Sequence, residues 1–201
     1  MNQVAKSIVR GCFSSVGLDI HRVRSNGHQS ETSKCRERLA PFCTGNGIDI
    51  GPGGDPITAS AVRVDLPQPY TNVGNLPVQL AGDATNLHWF RDGVLDFVYS
   101  SHVLEDFVET ADVLSEWLRG LKPGGHLIIY CPDEQRFRAH CKNTGQPYNT
   151  AHKLENFSLE HVLACLEAVD RGGNLVQKCE VSEIYSWDLV WSRGLNTESS
   201  A

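Results

Sequence analysis

The 201-residue chain lacks any apolar run near the ~20 residues that a membrane-crossing helix needs. After Met1 there is no apolar core of the kind found in secretory signals, so a cytoplasmic protein without membrane contact is expected. Paired cysteines are missing too. The seven, at positions 12, 35, 43, 131, 141, 165 and 179, contain no Cys-x-x-Cys and are odd in number, which predicts reduced thiols. His140-Cys141 and His161-x-x-x-Cys165 each offer two ligands where a structural zinc takes four, so no metal site is expected. Positive charge is scarce: 18 Lys and Arg against 24 Asp and Glu leave a net charge of -6, and no global field draws the chain to nucleic acid or an anionic membrane. No internal repeat is visible. The basic residues cluster, however, with seven Lys or Arg against three Asp or Glu in residues 1–46. That shift marks a segment boundary near Asn46.

What is present suits one globular domain, at 40% hydrophobic and 21% charged residues. Short β-branched or aromatic runs bounded by Gly, Pro or Asp read as strands: Gly47-Ile48-Asp49-Ile50, Val62-Arg63-Val64-Asp65, Val78-Gln79-Leu80-Ala81, Leu95 to Tyr99 and His126 to Tyr130. Between the last two, Ala111, Leu114, Trp117, Leu118 and Leu121 recur at helical spacing, with Asp106 and Glu109 placed like a capping box. Leu159, Val162, Leu163, Leu166 and Val169 form a second stripe, opened by Ser158 as N-cap and closed by Gly172-Gly173. Runs around Leu175 to Ile184 and Trp187 to Trp191 predict an antiparallel hairpin. The fold class expected is α/β, a Rossmann-like three-layer sandwich on a seven-stranded, mostly parallel sheet. Residues 1–44 read as a helical lead-in, with a helix over Val4 to Phe13 and a polar stretch from Ser25 to Ser33. Residues 45–193 read as the main domain and 194–201 as a flexible tail. Pro132 to His152 reads as a long loop without periodicity, and it overhangs the carboxyl ends of the strands, where open α/β sheets bind ligands.

The strongest local signal is Ile48-Asp49-Ile50-Gly51-Pro52-Gly53-Gly54-Asp55-Pro56, a strand entering a glycine-rich turn, with Asp55 as cap of a following helix. Glycine there lets a backbone approach a ligand closely. A dinucleotide fingerprint needs glycine where Pro56 stands, and Asp55 would sit poorly beside a pyrophosphate. The turn favours a nucleoside-like ligand without phosphates.

Five motifs in order then resemble the class I S-adenosylmethionine-dependent methyltransferases: Gly47 to Gly53, Asp65-Leu66, Gly82-Asp83-Ala84, Ser100-Ser101-His102-Val103-Leu104-Glu105 and Leu121-Lys122-Pro123-Gly124-Gly125. The resemblance spans roughly residues 45 to 193 and implies S-adenosylmethionine as cofactor. It implies that Asp49 orients the turn, that Gly51, Pro52 and Gly53 face the methionine part, and that Asp65 accepts from the ribose hydroxyls. Leu66 would cover an adenine face, Asp83 and Ala84 would clamp the adenine edge, and Ser100 and Ser101 would follow the fourth strand into the site. The chain departs from the family in the short connection between Asp55 and the second strand, which leaves room only for a helical stub. One sheet face then needs another cover, which the N-terminal helix can supply.

Methyl transfer from a sulfonium asks for alignment and, with a hydroxyl acceptor, for removal of a proton. His102 is the best base by position and by an ordinary pKa near 6.5. His152 follows, with Tyr148 and Asn149. The Asn/Asp-Pro-Pro-aromatic element of amine-methylating nucleic-acid enzymes is absent, which disfavours a nucleic-acid partner. The expected activity is O-methylation of a small hydroxylated molecule such as a sugar, glycan precursor or natural product. The alternatives are a non-catalytic scaffold of the same fold and a tRNA- or protein-directed methyltransferase.

Overall fold

The computed structural model describes residues 29–69, 71–73 and 76–195. Strands β1 (Gly47–Ile50), β2 (Val62–Asp65), β3 (Leu80–Ala81), β4 (Leu95–Ser101), β5 (Leu121–Pro132), β6 (Asn174–Ser182) and β7 (Ser186–Ser192) form one sheet in the order β3-β2-β1-β4-β5-β7-β6. The first five run parallel, and β7 lies antiparallel to both β5 and β6. Helices α1 (Glu31–Leu39), α2 (Thr110–Gly120), α3 (Glu134–Thr144) and α4 (Leu159–Val169) complete it. This is the Rossmann-like α/β architecture read from the sequence, hairpin included. Among the described residues no helix is long and apolar enough to cross a membrane.

Period-two alternation divides the sheet between two cores. Ile48, Ile50, Val98, Leu127, Ile129 and Leu189 face α2 and α4, where Trp117 is fully buried. Phe97, Tyr99, Ile128, Tyr130 and Val190 face the other side, against Cys35 and Leu39 of α1 and against Ile57 and Ala61 from the β1–β2 connection. That connection holds turns and no helix, so the stub expected after Asp55 does not form. Asp55 caps nothing. Its carboxylate instead takes Arg36 of α1 at 2.6 Å and the hydroxyl of Ser30, which moors α1 over the face that a crossover helix would otherwise cover.

The lead-in helix read over Val4 to Phe13 lies outside the described residues, as does the tail read over 194–201 except for Gly194 and Leu195. The helix that is seen, α1, starts inside the stretch read as polar. Ser30 is its N-cap and accepts from the Ser33 N–H at 2.9 Å. Arg38 then reaches across the sheet to the fully buried Asp188 at 2.5 Å. Ser30→Ala is expected to cost about 1 kcal/mol, the usual value of an N-cap, measured by urea unfolding. The long loop after β5 also needs correcting, because it contains α3, with Asp133 as N-cap and Gly145 in the left-handed conformation as C-cap. At α2 the N-cap is Glu109 and makes no side-chain cap bond, so the capping box read at Asp106 and Glu109 is not formed.

Candidate active site

The carboxyl ends of β1, β2 and β4 open into one cleft of about 650 Å³. Its floor is the turn after β1. Gly51 has φ 69° and Gly53 φ 54°, a region that L side chains rarely adopt. A Cβ at Gly51 would also run into Val103, and one at Gly53 would lie 2.9 Å from the Thr71 hydroxyl. Asp49 is buried beneath this turn, and its Oδ2 accepts from the Ile57 N–H at 2.6 Å, which ties the turn to the strand. Burial pushes its carboxyl well above the usual range. Asp49 Oδ1 finds no hydrogen-bond partner among the described residues.

Asp65 ends β2 at the cleft and accepts from the Leu66 N–H at 2.8 Å. Partial burial raises its pKa, with backbone N–H bonds working against the rise. Leu66 is 42% exposed beside it and free to meet a flat ligand. Asp83 commits Oδ1 to the Thr85 N–H and hydroxyl, at 2.8 and 2.9 Å. The Ala84 carbonyl accepts from the Trp117 indole at 2.8 Å, so the core holds that segment in place. Pairing of Asp65 with Ala81 brings both acidic corners to one edge of the cleft. Of the residues singled out in the sequence, Gly51, Pro52, Gly53, Asp65, Leu66, Asp83, Ala84, Ser101 and His102 line this cleft. Asp49 and Ser100 stand behind it, Ser100 bonded to the Ile50 carbonyl at 3.3 Å. The Ser101 hydroxyl is buried and has no hydrogen-bond partner among the described residues.

His102 sits past the end of β4 with φ 53°, a strained backbone for a non-glycine residue. Its N–H is held by the Tyr130 carbonyl at 2.9 Å. The ring places Nε2 at 3.3 Å from Ser186 Oγ and 3.4 Å from Glu31 Oε2, and Nδ1 at 3.6 Å from Glu105 Oε1. Burial, opposed by Glu31 and helped by Lys34 and His152, drops its pKa to about 4. The imidazole is neutral at physiological pH.

His152 stands one layer deeper, 3% exposed, with Nδ1 at 2.8 Å from Glu134 Oε2. It does not line the cleft, whereas its neighbours Asn149, Ala151 and Lys153 do. The groups around these two rings were not singled out in the sequence: Glu31, Glu105 and Ser186 at His102, and Glu134 at His152. Glu105 follows His102 by three residues in a 3₁₀ turn, and that i, i+3 spacing was the available signal.

A family model described as "Methyltransferase domain" matches residues 43–129. Residues 43–129 thus resemble a methyltransferase domain, and solved S-adenosylmethionine-dependent methyltransferases share the fold of the chain. Solved structures share its fold. The PH0226 protein of Pyrococcus horikoshii OT3 is 18% identical, covers 85% of this chain and 93% of its own, and has a TM-score of 0.64. An Archaeoglobus fulgidus SAM-dependent methyltransferase is 16% identical over 81% of this chain and 94% of its own, with a TM-score of 0.61. No sequence match to a curated protein was found.

S-adenosylmethionine is the cofactor that the domain match indicates, and the cleft fits it. Asp65 and Asp83 offer carboxylate oxygens at one edge, the Gly51–Gly53 turn leaves its backbone uncovered, and the buried Ser101 hydroxyl has no hydrogen-bond partner among the described residues. Among the described residues no group of three or more His, Cys, Asp or Glu is placed to hold a metal ion.

Proposed function

We propose that this methyltransferase methylates a hydroxyl of a small acceptor, a sugar, glycan precursor or natural product, with His102 as the base. The observation that carries the reading is a neutral imidazole held in a strained backbone at the wall of the cleft. The cofactor supplies a methyl group on a sulfonium, poised for in-line displacement. Asp65 would accept from the ribose hydroxyls, Leu66 would cover the adenine, and Asp83 with Ala84 would bind its edge. Gly51, Pro52 and Gly53, held from behind by Asp49, would let the methionine part lie against backbone. Ser100 braces the end of β4, and Ser101 offers a hydroxyl to the same region.

As a carbon–oxygen bond forms, the acceptor hydroxyl becomes strongly acidic, so even a weakly basic imidazole can take its proton. The acceptor would enter from the side walled by Glu31, Phe107, Asn149 and Lys153. Residues 45–193 would then be the catalytic unit, with α1 of the lead-in completing the acceptor wall. The six described cysteines are free, in keeping with a cytoplasmic setting.

Asp65→Ala is expected to weaken S-adenosylhomocysteine by about 1.5–3 kcal/mol, the scale of hydrogen bonds to a charged group. Calorimetric titration, with NAD as the control, measures it. An unchanged dissociation constant removes Asp65 from the site. Turnover of hydroxylated acceptors by the wild type then tests the acceptor class, and transfer confined to amines or to protein would overturn it.

A further inference from the structure

Behind His102 lies a row of buried polar side chains that the cleft does not touch. Glu105 is 1% exposed, has no Lys or Arg partner among the described residues, and presents a single oxygen to two imidazoles. Its Oε1 is 3.6 Å from His102 Nδ1 and 3.8 Å from His152 Nε2, while Oε2 meets Cys131 Sγ at 3.3 Å. His152 in turn gives Nδ1 to Glu134, a carboxylate buried but kept ionised by Tyr148 at 2.5 Å, Arg138 at 2.6 Å and His152 itself. Arg138 is exposed, so the row runs from the cleft to the surface.

A carboxyl buried without a cation costs stability, and an apolar residue of similar volume would not. Packing alone therefore gives no reason for Glu105. The polarity of the row does. Glu134, ionised, accepts from His152 Nδ1–H, which leaves His152 Nε2 as an acceptor. A protonated Glu105 can donate to that Nε2 and accept from His102 Nδ1–H with the same oxygen. His102 Nε2 is then an acceptor, within reach of the Ser186 hydroxyl at 3.3 Å and on the side of Glu31, which lines the cleft.

We infer that His102, Glu105, His152 and Glu134 form one proton relay, with Glu105 as its positioning residue. The inference rests on His102 being the base. The acceptor's O–H proton passes to His102 Nε2 as the carbon–oxygen bond forms, and the carbon–sulfur electron pair goes to sulfur. The Nδ1 proton moves to Glu105 Oε1 while the Glu105 proton moves to His152 Nε2. Glu105 ends neutral, as it began, and the charge rests on His152 as an imidazolium beside the Glu134 carboxylate. Distances of 3.6 and 3.8 Å are long for a resting relay. Such bonds commonly tighten when ligand fills a site.

The test needs no acceptor. In the ¹⁵N-labelled full chain with S-adenosylhomocysteine bound, long-range ¹H–¹⁵N spectra report which ring nitrogen carries the proton. Both His102 and His152 are expected in the Nδ1–H form, opposite to the form that free imidazole side chains favour in water. Glu105→Gln should keep both tautomers, because an amide can accept from one ring and donate to the other. Glu105→Leu should shift His102 toward Nε2–H. A proton on Nε2 of His102 in the wild type overturns the relay, and that spectrum alone decides if Glu105→Leu does not fold. Identical tautomers in wild type and Glu105→Leu also overturn it. Once an acceptor is found, Glu105→Gln should lose at least tenfold in turnover with unchanged cofactor affinity, because an amide cannot pass the proton on. If S-adenosylhomocysteine fails to bind, the methyl-transfer reading falls, while the tautomers of the free protein still judge the relay.

Discussion

His102→Asn should lower turnover by roughly 10²–10⁴, the usual contribution of a positioned base, and leave S-adenosylhomocysteine affinity within about twofold. Asparagine is the informative replacement because residue 102 has φ 53°, and Asn tolerates that conformation better than most side chains. His102→Ala would confound the lost imidazole with a strained backbone. The same residue sets the acid limb of the rate. With its pKa dropped to about 4 by burial, His102 stays neutral well below the pH at which a solvated histidine protonates, so turnover should persist at pH 5.5. A limb near 6.5 would mean that the ring is solvated in the working enzyme, and wild-type turnover in the Asn variant would leave His102 a structural role.

The strand-end half of the cleft was legible in the sequence for a physical reason. Its residues stand at the ends of strands whose burial is written in continuous apolar runs, such as Ile48 and Ile50 around Asp49. Each strand end fixes the next residue's place, so Asp65, Asp83 and His102 could be located by counting. The helices α1 and α3 were harder to read. Each buries few apolar side chains, Cys35 and Leu39 in one and Cys141 in the other, so neither shows a broad apolar stripe. Their caps, Ser30, Asp133 and Gly145, were the readable marks. Asp55 looked like a helix cap because sequence shows a turn but not the Arg36 that captures it. Glu105 was hidden more deeply. A glutamate is ordinarily a surface residue, and only the fold brings Cys131 and His152 around this one.

Glu105 should also reveal itself in the stability of the protein as pH changes. Burial, opposed mainly by backbone hydrogen bonding and reinforced by Asp106 and Glu31, raises its pKa from 4.5 to about 8. Between those values the folded chain holds a proton that the unfolded chain has released, so stability falls as pH rises. His102 acts in the opposite sense. Its pKa drops from 6.5 to about 4, so the unfolded chain binds the extra proton and stability rises with pH through that window. The two slopes cancel over most of the range in which both act. Above pH 6.5 only Glu105 of this pair still acts, and its own contribution to stability should fall by about 2 kcal/mol by pH 8, at about 1.4 kcal/mol per pH unit. Glu105→Gln removes one slope and leaves the other. Relative to wild type, the variant should gain about 5 kcal/mol between pH 4.5 and 8, an upper value from the full shift. Titrating groups common to both chains drop out of that difference. Urea unfolding of the two proteins at half-unit steps measures it, and parallel stability curves would mean that Glu105 is ionised in the folded state. A neutral Glu105 is also what lets one oxygen donate to His152 while accepting from His102, so the curves and the imidazole tautomers must agree.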